Sequence, residues 1–421
     1  MSEKEEKSGM TRRDFIRAAG LTTAGMVAGS FLQSKAFAQE APPAAGGVIG
    51  ANDRLNYAII GPGGMGGGHL RHLMSLSQEQ NLQVVAVCDV FKNRCERAAN
   101  AANITPENAY SDYRKLLERK DIDVVVIATP DHWHGKMTCD ALEAGKHVYV
   151  EKPMTRTWEE AANVLDAQKR TGKLVQVGSQ GCTDAKWHTA GQLVKEGKIG
   201  KLVWAQGSYC RNNPNGEWNY GLDPNLTEDR IDWPAWLGDA PKVAFSPQRY
   251  HRWRKYWDYG TGIIGDLWPH RLHPLMIAMA LDEYPKRVSC VGSIMCGTDH
   301  GDDEPREVAE ATLLQVEFPS GAMIFLAGST VNERGIEDMI RGQKANLFFG
   351  GGKVRIEPER PFSEDIEAAD VPVVGPGEDQ REHHKNLISC IRNGGKLNCD
   401  AELGARVMAI VGMAELSYRR N

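Results

Sequence analysis

The sequence predicts an α/β protein in two parts: a doubly wound parallel sheet, followed by an α+β domain with a predominantly antiparallel sheet. Three observations carry that expectation. Apolar runs alternate with helical stretches over roughly the first half, as they do when helices cover both faces of a parallel sheet. Beyond about residue 200, strand-like runs follow one another with few helices between them, which suits antiparallel pairing. The chain is also too long, at 421 residues, for a single hydrophobic core.

The N-terminus comes before either domain. "TRRDFIRAAGLTTAGMVAGSFLQSKAFAQE" sets Arg12 and Arg13 ahead of a mildly apolar stretch, Ala18 to Leu32, and ends in a small-residue cleavage site at Ala36 to Ala38. It resembles a twin-arginine export signal, with Lys35 near the cut. Residues 1–38 are therefore expected to be a signal peptide that sends the folded protein to the periplasm, and 39–53 a flexible linker. No apolar run approaches the roughly 20 residues of a membrane span, so no stable membrane insertion is expected after cleavage. A net charge of −5 gives no electrostatic reason to expect nucleic acid as a partner. The nine cysteines include no CxxC pair and do not read as a disulfide framework.

Residues 54–180 make up the first domain. "RLNYAIIGPGGMGGGHLRHLMSL" reads as strand, glycine turn and helix, and Gly61, Gly63 and Gly66 satisfy G-x-G-x-x-G around Met65. A second strand, "LQVVAVCDV", ends in Asp89, at the spacing of a ribose-binding acid. This is the pattern of a Rossmann dinucleotide site, with pyrophosphate on the helix N-terminus. An anionic Asp89 would bind both ribose hydroxyls and repel a 2′-phosphate, which favours NAD over NADP. Arg94 is close enough in sequence to stack on adenine. The later strands end near Thr129, His134, Glu151, Lys152 and Gln180, all on the edge where such sheets hold ligands.

The glycine turn, "VCD", "ATPDHWH" and above all "EKP" (Glu151, Lys152, Pro153) resemble the Gfo/Idh/MocA family, the glucose–fructose oxidoreductases and inositol dehydrogenases. The resemblance implies a Rossmann domain, an antiparallel sheet domain commonly used for homo-oligomerisation, bound NAD and a sugar or polyol substrate. Asp131 departs from it, standing where the family more often has asparagine.

Residues 181–421 form the expected substrate and oligomerisation domain. Within them "TGIIGDLWPHRLHP" carries Asp266, His270 and His273, which would share one face of a helix. Such a cluster could bind zinc, act as cap and packing, or handle protons; the dinucleotide turn and EKP favour proton handling over a metal. The resemblance implies that Lys152 and His270 flank the reacting carbon, with Asp266 beside them, and histidine titrates in the range a general base needs. Upstream, "RYHRWRKYWDYGTG" interleaves cations and aromatics, as sugar sites do. Arg252, Trp253, Tyr256 and Trp257, together with His273, are the expected substrate contacts.

The expected function is oxidation of a hydroxyl of a sugar or glycoside, C3 by family analogy, with the hydride passing to tightly bound NAD. The alternative is an NAD-dependent glycosidase, in which transient C3 oxidation acidifies C2–H, the glycosidic substituent is eliminated, water adds and the hydride returns. A non-catalytic sugar-binding protein is a third class, which an intact Lys152, Asp266 and His270 speak against.

Overall fold

The computed structural model describes residues 53–299 and 303–420. The expected signal peptide and nearly all of the expected linker lie outside the described residues. The first sheet begins with β1 (Leu55–Ile60) and continues through β2 (Leu82–Cys88), β3 (Ala109–Tyr110), β4 (Val124–Ile127), β5 (His147–Glu151) and β6 (Val175–Gly178). All its pairings are parallel, in the order β3-β2-β1-β4-β5-β6. β4 reads Val-Val-Val-Ile and is buried throughout, because helices cover both of its faces. The order reverses between β1 and β4, so the helices diverge there and leave a crevice past the strand ends.

Local chemistry places the helices. Helix Trp158–Thr171 starts at a capping box, Thr157 with Glu160, and stops at Gly172 in the left-handed conformation. Helix Gly64–Leu76 follows β1 across the glycine turn.

The second sheet holds β7 (Leu202–Cys210), β8 (Arg287–Ser293), β9 (Ala311–Glu317), β10 (Met323–Ser329), β11 (Met339–Gly342), β12 (Ala345–Gly350), β13 (Lys353–Pro358) and β14 (Ala369–Pro372). Its order is β14-β13-β12-β11-β7-β10-β9-β8, and every pairing is antiparallel except β10 with β7. Burial alternates along β9: Thr312, Leu314 and Val316 face the core, while Leu313 and Gln315 face out. The last helix, Ala401–Arg420, packs on both β8 and helix Trp158–Thr171, so one apolar core joins the two sheets. No helix among the described residues is long and apolar enough to cross a membrane.

The segment from about residue 212 to 259 folds back over the first sheet. A backbone bridge links Phe91 to Ile231, and Asp232 N–H donates to Val90 C=O at 3.1 Å. Phe91, Ile231, Trp233, Trp236, Tyr250, Tyr256 and Tyr259 then form a separate aromatic core. That core fixes a roof over the crevice.

Candidate active site

The crevice is a cavity of about 540 Å³ lined by the glycine turn, Asp89, Arg94, Asp131, Lys152 and, from the roof, Tyr220, Trp236, Tyr250, His251, Trp253 and Arg254. A volume of that order is typical of small-molecule sites, which run roughly 300–1,000 Å³. The backbone at Gly61 has φ of 78°, and a Cβ there would stand 2.8 Å from Ala128 O. A Cβ on Gly66 would collide with Gly61 O. Only glycines allow the turn to pack this closely on the end of β4 and on the start of helix Gly64–Leu76, which leaves that helix N-terminus at the cavity wall, and these residues fit a dinucleotide. Gly66→Val is expected to abolish NAD retention, read by mass spectrometry of cofactor released from denatured protein; retention at the native level would contradict the assignment.

At the adenosine end, Asp89 Oδ1 accepts from Phe91 N–H at 2.9 Å. Burial pushes its carboxyl up, and the Arg94 guanidinium, 4.0 Å from Asp89 Oδ2, counters that. Arg94 also lies over the Tyr250 ring at 5.0 Å, so it closes the ribose end of the cleft rather than standing free for adenine.

The other end is built around Asp266. Lys152 Nζ donates to Asp266 Oδ1 at 2.7 Å and to its backbone oxygen at 2.9 Å. Arg254 Nε donates to the same Oδ1 at 2.9 Å, and Trp218 Nε1 to Oδ2 at 3.2 Å. Burial alone would raise the Asp266 carboxyl, but Arg254 and Lys152 hold it far below the carboxylate range, so it stays ionised. The carboxylate sits in a π-helical turn, Ile263–Leu267, that leads into helix Pro269–Ala278. Such turns recur at functional sites because the extra residue re-aims side chains. His270 is half-buried and stacks on Tyr209, centroids 5.0 Å apart. Burial, then the Lys152 charge, drives its pKa well below the ordinary 6.5, so the ring is neutral.

Beneath the EKP turn lies a buried chain with no counterpart in the sequence motifs. His69 Nε2 is 2.7 Å from Glu151 Oε1, and His69 Nδ1 is 2.8 Å from His384 Nε2. Burial pushes the Glu151 carboxyl up, yet the His69 bond and neighbouring charges bring it net below its ordinary value. Glu151 thus accepts as a carboxylate from His69 Nε2–H. Burial holds the His384 ring neutral, and its Nδ1 has no partner among the described residues. A proton on His384 Nε2 that donates to His69 Nδ1 leaves only a lone pair unsatisfied, so that tautomer is assigned. His69→Leu strips a buried carboxylate of its donor. It is expected to cost about 1–3 kcal/mol in urea unfolding and to weaken NAD retention; an unchanged midpoint would contradict this.

The sequence model of the Gfo/Idh/MocA oxidoreductase family's NAD-binding Rossmann fold matches residues 55–179. That of the family's C-terminal α/β domain matches residues 216–421. This chain belongs to the Gfo/Idh/MocA oxidoreductase family. It is 33% identical to a glycosyl hydrolase family 109 protein of Shewanella baltica (strain OS185) over 213 residues, 47% of this chain and 45% of that one. It is 29% identical to an alpha-N-acetylgalactosaminidase of Shewanella oneidensis over 226 residues, 49% of each. The chain thus spans about half the length of the curated relatives it matches. Among solved structures, levoglucosan dehydrogenase in complex with NADH and levoglucosan superposes with a TM-score of 0.66 at 21% identity, covering 87% of this chain and 98% of that one. At that identity the likeness speaks for the shared fold.

Within this Gfo/Idh/MocA framework, Gly61, Gly63, Met65, Asp89, Arg94, Thr129, His134, Glu151 and Lys152 line the cavity. Gly66 packs under the turn. His134 bridges Thr129 O at 2.8 Å and Pro153 O at 2.7 Å, so it ties the end of β4 to the EKP turn. Gln180, expected at the cofactor, instead donates to Glu378 Oε1 at 3.1 Å and does not line the cavity. Of the expected sugar contacts, Trp253 alone lines it.

The remaining four have other places. Tyr256 is buried in the roof's core, its hydroxyl donating to Glu304 O at 2.8 Å. Trp257 donates to Glu307 O at 3.0 Å and packs against Tyr418. Arg252 donates to Tyr220 O at 3.0 Å. His273 is buried, its Nδ1 donating to Pro269 O at 2.9 Å. A roof of about 50 residues needs an apolar core of its own, and these aromatics supply it. The same geometry disposes of Asp266, His270 and His273 as a shared cluster. Asp266 is occupied by two cations, His270 faces Tyr209, and His273 turns inward.

Eight histidines (His132, His134, His147, His251, His270, His273, His383 and His384) have pKa values lowered by burial. A histidine whose folded value is depressed takes up its proton first in the unfolded chain, so stability falls as pH drops below the ordinary 6.5. The urea midpoint is expected to decline steadily from about pH 7 to about pH 5, ahead of carboxylate titration. A midpoint that is flat across that range would contradict the assignment.

Proposed function

We propose that this protein oxidises a hydroxyl of a sugar or glycoside by hydride transfer to tightly bound NAD. The observation that carries it is Lys152, which lines the cavity that begins at the glycine turn and is held 2.7 Å from Asp266 just behind the cavity wall, with a neutral His270 close by. Bound NAD would supply the nicotinamide that takes the hydride from the sugar carbon. The chain's residues do the rest. Asp266, fixed by Arg254 and Trp218, orients the Lys152 ammonium toward the hydroxyl oxygen. His270, whose ring nitrogens have no hydrogen-bond partner among the described residues, takes the hydroxyl proton as the C–H bond breaks. Lys152 steadies the oxygen as it gains charge, and the aromatic roof excludes water.

A second reading is an NAD-dependent glycosidase with transient oxidation at C3, elimination of the C1 substituent, water addition and return of the hydride. The roof favours it. Phe91, Ile231 and Tyr250 clasp the adenosine end of the cleft, which suits a cofactor that is reset in place rather than exchanged. The names of the Shewanella relatives point the same way. Incubation with an aryl glycoside separates the readings: a ketosugar with stoichiometric NADH supports the first, and released phenol without net NADH the second. Neither product from a panel of sugars and glycosides would overturn both.

Arg12, Arg13 and Ala36 to Ala38 support export by the twin-arginine route to the periplasm, with the cofactor loaded beforehand. Val291, Leu313 and Met323 are exposed on the outer face of the second sheet, beside Trp204 and Phe325, and they support a homo-oligomer built through that face.

A further inference from the structure

Arg254 is half used. Its Nε is bound to Asp266 and its plane lies over the Trp253 ring, 4.1 Å from the centroid. Its two terminal nitrogens have no acceptor among the described residues, although the residue lines the cavity and its side chain is only 20% exposed. A guanidinium pinned along one edge presents the other as a rigid two-donor fork, which matches a planar carboxylate.

The carboxylates near this edge are not free to fill it. Lys152 and Arg254 share one carboxylate, Asp266. The nearby Asp131 is not a second anion for them: burial, then the Asp266 charge, pushes its carboxyl up to about 8, so it is protonated at neutral pH. Arg211 is engaged by Glu217 at 2.9 Å, and Glu151 by the His69 N–H at 2.7 Å. The free edge of Arg254 is thus left for the ligand to meet.

We propose that the substrate is an acidic sugar, a uronic acid or its glycoside, whose carboxylate is held by the free edge of Arg254 while its ring stacks beside Trp253. This rests on the sugar-oxidising reading above and specifies the substrate class of that site. The ring would then be oriented from both ends, carboxylate on Arg254 and reacting hydroxyl on Lys152.

The test compares matched pairs that differ only at C6, such as the aryl glucuronide with the aryl glucoside and glucuronate with glucose, on the full-length, NAD-loaded protein. Wild type is expected to favour the acid by roughly 10- to 100-fold in kcat/KM, the worth of a charge-assisted bidentate contact. Arg254→Gln is expected to collapse that ratio through KM for the acid. The ratio is the quantity read, because any loosening of Asp266 in the variant affects both substrates and cancels. If the neutral partner is used as well or better by wild type, the acidic-substrate inference falls and the oxidoreductase reading stands. If Arg254→Gln lowers both substrates equally, Arg254 serves only Asp266 and the inference falls. Reaction with neither class overturns both. The wild-type comparison decides even where the variant fails to fold.

Discussion

Lys152→Ala is expected to lower turnover by roughly 10²- to 10³-fold, the usual worth of one donor to a developing oxyanion, while NAD stays bound. Lys152 is the only lysine among the described residues that line the cavity. Stability should change much less. Asp266 keeps Arg254 Nε at 2.9 Å and Trp218 Nε1 at 3.2 Å, so removing Lys152 leaves one anion facing one cation. The test is a turnover assay beside urea unfolding and mass spectrometry of retained cofactor. Loss of NAD or of folding in step with activity would mean that Lys152 is structural.

Asp266→Asn is expected to have the larger effect on folding. It leaves the Lys152 and Arg254 cations facing each other with no anion between them, and breaking a buried ion pair from one side costs about 3–5 kcal/mol. The pH dependence follows from the depressed carboxyl. Its contribution is fully present above the ordinary 3.8 and is lost only as pH falls through the folded value, far below that. The gap in urea midpoint between wild type and Asp266→Asn should therefore be constant across neutral pH and narrow only in strong acid. A gap that closes near neutrality would show that the carboxylate is not held by these two cations.

What could be read in the sequence was what depends on neighbours in the chain. The glycine turn, Asp89 at the end of β2 and the EKP turn each carry their chemistry within a few residues, so sequence reasoning placed them on the cavity. Arg254 and Lys152 converge on Asp266 from 12 and 114 residues away, and only the second pairing was foreshadowed, by the family pattern. His69 was missed entirely, because its partners Glu151 and His384 stand 82 and 315 residues distant and a lone histidine on a helix announces nothing. The aromatic stretch was read too generously. Composition shows that Trp253 and Tyr256 are both rings in one segment; both pack into the roof's core, yet only Trp253 also lines the cavity. The helical phase drawn through Asp266, His270 and His273 also failed, since the π turn at Ile263–Leu267 and Pro274 interrupt a regular helix. A free nitrogen on Arg254 is a fact of three-dimensional accounting, and no motif encodes it.

The most direct measurement is a crystal structure of the full-length protein with NAD and a bound sugar acid. The reacting hydroxyl is predicted to lie within about 2.6–3.2 Å of both Lys152 Nζ and a ring nitrogen of His270, its carbon facing the nicotinamide. A sugar seated away from Lys152, or a nicotinamide turned from it, would contradict the account.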